Sequence, residues 1–153
     1  MSDDEGMLCA LELARSAIAA GEPPFGAVVI DASGTIVART TDQVRRLRDM
    51  TRHAEIEAVR EACARLGPDL TGAALYTTCE PCPMCFTAAW LARVSHIVWG
   101  STMAEVAAVM GPAQRELSVS AIMMNELGGN QIAVRGGVRA EECLALFKST
   151  VRR

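Results

Sequence analysis

Two short stretches constrain this chain more than any other part of it: His53-Ala54-Glu55 and Pro81-Cys82-Pro83-Met84-Cys85. The first offers an imidazole and a carboxylate, and the second offers two thiols separated by two residues. One nitrogen and two sulfurs are suitable ligands for a zinc ion, which is usually held in a tetrahedral site. Three protein ligands leave one position for water, as in catalytic rather than structural sites. The fold is therefore expected to bring residue 53 close to residues 82 and 85.

Each motif is expected to lie where a helix begins. Residues two apart do not share a helix face, so His53 and Glu55 can point the same way only from the very start of a helix. Pro81 and Pro83 suit the start of another helix, because the first positions of a helix leave their N–H groups unpaired. Helix N-termini also favour anions, which helps the two cysteines to remain thiolates.

Other uses of the histidines and cysteines are possible. A structural zinc site would need a fourth protein ligand, for which His96 and Cys79 are the nearest candidates. We expect His96 to have a structural role beside an apolar strand, and Cys79 to pack or support the site from a strand end. A thioredoxin-type redox pair is disfavoured, because the proline and histidine context differs. In a reducing compartment the remaining cysteines are expected to be small buried hydrophobes: Cys9, Cys63 and Cys143.

Composition narrows the class of protein. The length suits a single domain, 1–153, and half of the 153 residues are hydrophobic, which favours a packed core. A net charge of −3 disfavours a broad nucleic-acid surface, which is usually basic. The chain has no run of about 18 uncharged apolar residues, so no membrane span is expected. The acidic stretch at residues 1–5 lacks the basic flank of a secretory signal, so we expect a cytoplasmic location.

Hydrophobic periodicity predicts an alternation of helices and strands. Strands are predicted at 25–30, 35–41, 73–78, 96–99 and 131–134, and helices at 7–20, 53–66, 83–93, 103–110, 113–126 and 140–150, with a polar loop at 42–52 and a turn at 128–130. The first two strands are expected to be antiparallel, and the strand–helix–strand order over 73–99 implies a parallel crossover. The predicted fold is α/β, a three-layer α/β/α sandwich with a mixed sheet of about five strands.

Together, the motifs resemble the His-x-Glu and Pro-Cys-x-x-Cys signature of zinc-dependent nucleobase deaminases. From about residue 23 to residue 147 the chain resembles the cytidine-deaminase-like superfamily, and within it the branch of guanine deaminases and tRNA adenosine deaminases. Residues 51–55, T-R-H-A-E, are similar to the T-A-H-A-E of that branch. Residues 78–85 and 24–27, T-C-E-P-C-P-M-C and P-F-G-A, are more similar to guanine deaminases, because tRNA deaminases favour L-E-P-C-A-M-C and P-V-G-A.

The resemblance implies a role for each residue of the site. It implies three ligands for one Zn²⁺: His53, Cys82 and Cys85. Glu55 would carry protons between water and the leaving amine. Phe25 would line the base pocket, and the backbone amide of Ala54 would contact the substrate. Members of the branch usually form homodimers, so a homodimer is expected.

Three features depart from the branch. Its base-reading Asn at the end of the second strand is Asp42 here. Because an ionised Asp only accepts hydrogen bonds, the substrate should present N–H groups or positive charge there. Guanine deaminases usually carry an Asp soon after the fourth strand, where residues 111–114, G-P-A-Q, offer no carboxylate. Residues 131–153 are more similar to the strand-plus-helix ending of tRNA deaminases.

An arginine-rich loop precedes the first motif and contains Arg45, Arg46, Arg48 and Arg52. In one interpretation the loop is solvated and its arginines pair with Asp42, Asp49 or other acidic surface residues. In a sharper hypothesis an arginine meets a phosphate or carboxylate of the substrate. Arg52 is the best candidate because it adjoins His53. The same loop leaves a nucleic-acid partner open.

The sequence thus predicts a zinc-dependent hydrolytic deaminase that releases ammonia from a small amino-substituted heterocycle, with a guanine-like purine base as the leading substrate. One alternative is a tRNA adenosine deaminase, which the mildly basic residues 148–153 favour and which Phe25 and the net charge disfavour. Another is a deaminase of a different nucleobase, an aminotriazine or a pterin. A catalytically silent zinc-binding scaffold is a further alternative, against which the intact Glu55 argues.

Overall fold

A five-stranded mixed sheet with strand order β2-β1-β3-β4-β5 organises the computed structural model, which describes residues 1–151. The strands are β1 (Gly26–Ile30), β2 (Ile36–Thr41), β3 (Ala74–Cys79), β4 (His96–Ser101) and β5 (Ala133–Arg135). The helices are α1 (Asp3–Ala19), α2 (Val44–Leu47), α3 (Ala54–Leu66), α4 (Pro83–Leu91), α5 (Met103–Met110), α6 (Ala121–Leu127) and α7 (Ala140–Val151). β1 pairs antiparallel with β2 and β3, whereas β4 runs parallel to β3 and β5. The predicted α/β class, antiparallel pair and parallel crossover are confirmed.

Helices cover both faces of the sheet. Side chains of successive strand residues point to opposite faces, so Val28 packs in one core layer with Met7 of α1, while Val29 packs in the other with residues of α3 and α4. α1 lies so close to the sheet that a Cβ at Gly26 would collide with the Ala10 carbonyl oxygen. The first layer also contains α7, and the second contains α6. This is the three-layer arrangement that the sequence predicts.

The structure departs from the predicted elements mainly after α5. Residues 111–120 are irregular, so the predicted helix 113–126 is wrong over its first part. Gly111 ends α5 with a φ of +84°, which favours glycine. Ser120 then begins α6 by accepting a hydrogen bond from the Met123 N–H at 3.1 Å. A second difference is α2, a single helical turn within the predicted 42–52 loop.

His96 has the structural surroundings that the sequence suggested. Its Nε2 lies 3.1 Å from Oδ1 of Asp3, and its Nδ1 lies 2.8 Å from the Ala133 carbonyl oxygen. Asp3 also accepts hydrogen bonds from the Tyr76 hydroxyl at 3.1 Å and from Arg135 at 3.0 Å. These contacts tie the start of α1 to β3, β4 and β5.

Two sequence-based expectations concern the chain as a whole. Within residues 1–151, no helix combines the length and the apolar character needed to cross a membrane. The basic stretch 148–153 ends in Arg152 and Arg153, which lie outside the described residues.

Candidate metal centre and substrate pocket

The two motifs meet at the first turns of neighbouring helices. His53 is the N-cap residue of α3 and Cys82 is the N-cap residue of α4, and both have extended backbones with ψ of 155° and 169°. Pro83 occupies the first position of α4, as predicted, and Cys85 follows within the first turn. Nδ1 of His53 lies 3.7 Å from Sγ of Cys82 and 3.4 Å from Sγ of Cys85, and the two sulfurs are 3.6 Å apart.

These distances fit a zinc ion. With Zn–S near 2.3 Å and Zn–N near 2.0 Å, tetrahedral geometry puts the ligand atoms roughly 3.5–3.8 Å from one another. The chemistry also fits, because thiolate and imidazole are preferred zinc ligands. Among the described residues, the group of His, Cys, Asp and Glu side chains close enough to share an ion is His53, Cys82 and Cys85. Neither His96 nor Cys79 joins it, so a tetrahedral ion held by these three residues would have one position left for a molecule other than the protein.

The three ligands perturb one another's protonation. A hydrogen bond from the Cys85 thiol lowers the pKa of Cys82 to about 4, and a further contribution comes from His53. The same interaction, together with burial, raises the pKa of Cys85. Hydrogen bonding to Cys82 raises the pKa of His53 to about 9. The lowered pKa of Cys82 favours the thiolate, the form of cysteine that binds metal.

Glu55 is the second residue of α3 and is only 4% exposed. Burial raises the pKa of its carboxyl group to about 7, and the nearby Cys82 adds to the increase. An acid with a pKa near neutrality both takes up and releases protons readily. Glu55 is thus held beside the ligands at the start of the same helix that carries His53.

His53, Glu55 and Cys82 border a pocket of about 190 Å³. Pockets for drug-sized ligands measure about 300–1,000 Å³, so this one suits a single small ring system. Phe25 lines the pocket, and its ring meets that of Phe147 from α7 edge-on, with centroids 5.0 Å apart. The terminal helix therefore supports the aromatic wall of the pocket.

Asp42 also lines the pocket and is 8% exposed. Its Oδ1 accepts the Val44 N–H at 2.7 Å, which fixes the carboxylate at the start of α2. Within residues 1–151 no hydrogen bond reaches the other oxygen of Asp42. Burial raises the pKa of this carboxyl group. Asp42 thus presents an acceptor from within a largely buried position.

The comparisons with known proteins agree with this geometry. The family model described as the cytidine and deoxycytidylate deaminase zinc-binding region matches residues 1–101, which include all three ligands and Glu55. The chain belongs to this family. In the tRNA-specific adenosine deaminase of Bacillus subtilis, 35% of residues are identical over an alignment that covers 99% of this chain and 91% of that protein.

Other members of the family have different names. The tRNA(Ile)-lysidine synthase of Deinococcus deserti is 40% identical over 96% of this chain, but this chain spans only 26% of its length. A second Deinococcus protein of that name is matched over 23% of its length, so the chain spans about a quarter of these relatives. The solved guanine deaminase of Nitrosomonas europaea is 29% identical, with a TM-score of 0.87 over 99% of this chain and 86% of that chain.

The structure places at the pocket one carboxylate that the sequence analysis did not single out, that of Glu116. Residues 111–120, which we call the outer wall, bring Glu116 to the pocket together with Gln114 and Arg115. Glu116 is half-buried, and its Oε1 is buried without a hydrogen-bond partner. Burial raises the pKa of its carboxyl group, and the proximity of Cys82 contributes. The inference that this region offers no carboxylate is therefore corrected: residues 111–114 have none, but Glu116 lies just beyond them.

The structure also separates the arginines of the loop. Arg52 donates two hydrogen bonds to Glu57 and borders a different surface groove, not the pocket beside His53. Arg45 lines the pocket instead, although its side chain is exposed. Adjacency to His53 suggested Arg52, whereas the structure places Arg45 at the pocket.

Ala54 lies between the two functional residues of α3. It is fully buried, and its carbonyl oxygen accepts a hydrogen bond from the Thr40 hydroxyl at 2.7 Å. This bond ties the start of α3 to β2, and so helps to position His53 and Glu55. The residues that border the pocket within 1–151 do not include Ala54.

Proposed function

We propose that this chain is a hydrolytic deaminase that binds one Zn²⁺ and releases ammonia from a small amino-substituted heterocycle, with a guanine-like purine base as the leading substrate. The observation that carries the proposal is the position of Glu55, buried at the edge of a small pocket beside three converging metal ligands. Membership of a family whose relatives include guanine and tRNA adenosine deaminases supports it.

His53, Cys82 and Cys85 would hold the ion. Bound Zn²⁺ would supply Lewis acidity and make water acidic enough to act as a nucleophile near neutral pH. Glu55 would accept a proton from the attacking water and deliver it to the substrate, because an amine leaves only after protonation. Phe25 would pack against the heterocycle and exclude bulk water from that side of the pocket.

A guanine-like purine is favoured by an acceptor of the outer wall. Glu116 borders the pocket, and its Oε1 has no partner in the described part of the chain. A buried acceptor without a partner costs about 1–3 kcal/mol. A ring that carries N–H groups besides its leaving amine would relieve that cost, and guanine is such a ring.

A tRNA adenosine deaminase is the second candidate function. Its support is the near full-length match to the Bacillus subtilis enzyme and the exposed Arg45 at the pocket. Arginine is well suited to contacting a phosphate beside a bound base. A catalytically silent scaffold has less support, because it would have no use for Glu55 as a buried acid.

The decisive experiment measures ammonia release by the zinc-loaded protein from guanine, adenine, cytosine, 2,6-diaminopurine, an aminotriazine, a pterin, their available nucleosides and a tRNA anticodon stem-loop. Glu55→Gln is the blank and should lower kcat by about 10³-fold, since general acid–base catalysis contributes about 10²–10⁴-fold. Glu57→Gln, on the same helix, is the matched control and should retain activity. Release from the stem-loop alone would favour the second candidate, and no release from any compound would reject deamination.

We further propose a homodimer. α4 and α6 pack side by side and expose five large apolar side chains: Trp90, Leu91, Ile122, Met123 and Leu127. A second copy of the chain would cover them, because an apolar patch of this kind is usually an interaction surface. Light scattering should give twice the chain mass for the native protein and the single chain mass for the double variant Leu91→Lys, Leu127→Lys. A monomeric native protein would contradict the proposal.

The cysteines bear on location. All six are unbridged, which suits a reducing compartment, and we propose the cytoplasm. Fractionation of cells that express the native protein would test this.

A further inference from the structure

Glu80 is a buried carboxylate outside the group of metal ligands. It is 6% exposed and lies between β3 and the metal-binding cysteines. Its Oε1 accepts the Met103 N–H at 3.0 Å, and its Oε2 accepts the Ala121 N–H at 2.8 Å. Its own N–H donates to the Ser101 carbonyl oxygen at 2.8 Å. Both carboxylate oxygens and the backbone of Glu80 are therefore bound to other parts of the chain.

The two N–H groups that Glu80 binds belong to the first residues of two helices. Met103 begins α5 and Ala121 begins α6, so one side chain holds both ends of the segment 103–121. This segment contains α5 and the outer wall with Glu116. First-turn N–H groups have no partner within their own helix, and a carboxylate is a strong acceptor for them.

Open space borders the outer wall. The wall lines the pocket beside His53 and Cys82, and it also lines a second cavity of about 350 Å³ together with residues of α5. Glu116, Gln114 and Glu80 border both cavities. Glu116 thus lies between two regions of open space, and the bonds from Glu80 hold the two ends of its segment.

We infer that Glu80 is a positioning residue for substrate binding: by binding the starts of α5 and α6 it holds the outer wall, and hence Glu116, at the pocket. The inference rests on the proposed function for its catalytic consequence. Glu80 is also two residues from Cys82, so the same residue links the outer wall to the metal centre and fixes their separation.

Glu80→Gln tests the inference with little change in shape. An amide offers one acceptor and one NH₂ group, so one of the two N–H groups would face another donor. We expect KM to rise about tenfold, as when one hydrogen bond to a charged group is lost, with kcat changed less than threefold and zinc content unchanged. Hydrogen exchange of peptides covering 112–118 should become at least tenfold faster.

A second variant leaves Glu80 intact. Ala121→Pro removes one of its donors, and proline is tolerated at the first position of a helix. Ser120, the preceding residue, already has the extended backbone that a following proline requires, with ψ of 154°. This variant should accelerate exchange over 112–118 as Glu80→Gln does.

The matched control is Thr102→Ala. Thr102 lies outside the outer wall and caps α5 through the Glu105 N–H group, and its loss should lower Tm without changing KM or the exchange of 112–118. If Glu80→Gln behaves like this control, Glu80 has only a structural role and the inference fails.

A double-mutant comparison tests whether Glu80 affects KM through Glu116. In a Glu116→Gln background, Glu80→Gln should change KM by less than twofold, because its target has already been removed. A full tenfold change in both backgrounds would mean that Glu80 acts elsewhere, and would overturn the inference. If the native protein deaminates nothing in the panel, the proposed function fails, while hydrogen exchange still decides whether Glu80 holds the outer wall.

Discussion

The pocket has two differently built parts. What we call the metal floor lies in the first turns of α3 and α4 and comprises His53, Glu55, Cys82 and Cys85, whereas Glu116 comes from the irregular outer wall. On the metal floor, helix geometry and packing against the sheet fix each side chain. On the outer wall, hydrogen bonds from a distant residue do so. If the proposed function is correct, the reaction should depend on the regular part of the site and substrate choice on the irregular part. The following variants test that division.

The largest effect is expected on the metal floor. Cys85→Ala removes a ligand and should lower activity by more than about 10³-fold, because the several kcal/mol of charge stabilisation from the ion is lost. Metal analysis should show that zinc is lost with it. Cys143→Ala is the control: Cys143 is also fully buried but packs in the core layer that contains α1, so zinc and activity should remain.

A smaller effect is expected from Glu116→Gln on the outer wall. It should raise KM by about tenfold through the loss of a hydrogen bond to a charged acceptor, with zinc content unchanged. Steady-state kinetics on the best substrate of the panel measures it. Ser118→Ala changes an exposed residue of the outer wall that does not border the pocket, and it should alter KM by less than twofold. An equal fall in kcat and in zinc content would show that the outer wall is not separate from the metal floor.

Asp42→Asn should change the preference among substrates more than the rate of deamination. An amide both donates and accepts, so action on guanine should improve relative to the other substrates, by about tenfold in the ratio of kcat/KM values. Competition between guanine and the best other compound measures this ratio. Asp49→Asn, in the exposed part of the same loop, is the control. A constant ratio would mean that Asp42 does not contact the base.

The smallest effect is expected far from the pocket, at Asp3. Burial raises the pKa of this carboxyl group, but hydrogen bonds from Arg135, His96 and Tyr76 outweigh burial and lower it below 3.8. A lowered pKa in the folded state stabilises the fold above the ordinary pKa, and this stabilisation is lost as the pH falls through the lowered value. Asp3→Asn should therefore cost about 1 kcal/mol at pH 7, and less below pH 4. Urea unfolding at both pH values measures the difference, and an equal loss at both would contradict the assignment.

The sequence was most informative where local rules determine structure. The prolines around Cys82 and the i, i+2 spacing of His53 and Glu55 predicted two helix starts, and both are confirmed. Short apolar runs likewise predicted the strands on which α3 and α4 rest, and these strands are almost continuously buried.

The sequence was less informative where contacts with other parts of the chain determine the backbone path or the direction of a side chain. Residues 113–120 have a mixture of apolar and polar side chains that is compatible with a helix. In the structure, however, Gly111 ends α5, α6 begins only after Ser120, and Glu80 binds the first N–H group of α6. Arg52 was expected near the substrate because it adjoins His53, but the direction of its side chain is set by Glu57 on the next turn of α3. Neither outcome follows from residue spacing.

The bonds of Glu80 also have an evolutionary consequence. They end on backbone N–H groups of residues 103 and 121, which every amino acid except proline provides. Changes of side chain or length in the intervening stretch therefore leave both attachment points in place. The proposal predicts that this stretch tolerates substitution and insertion better than the metal floor does.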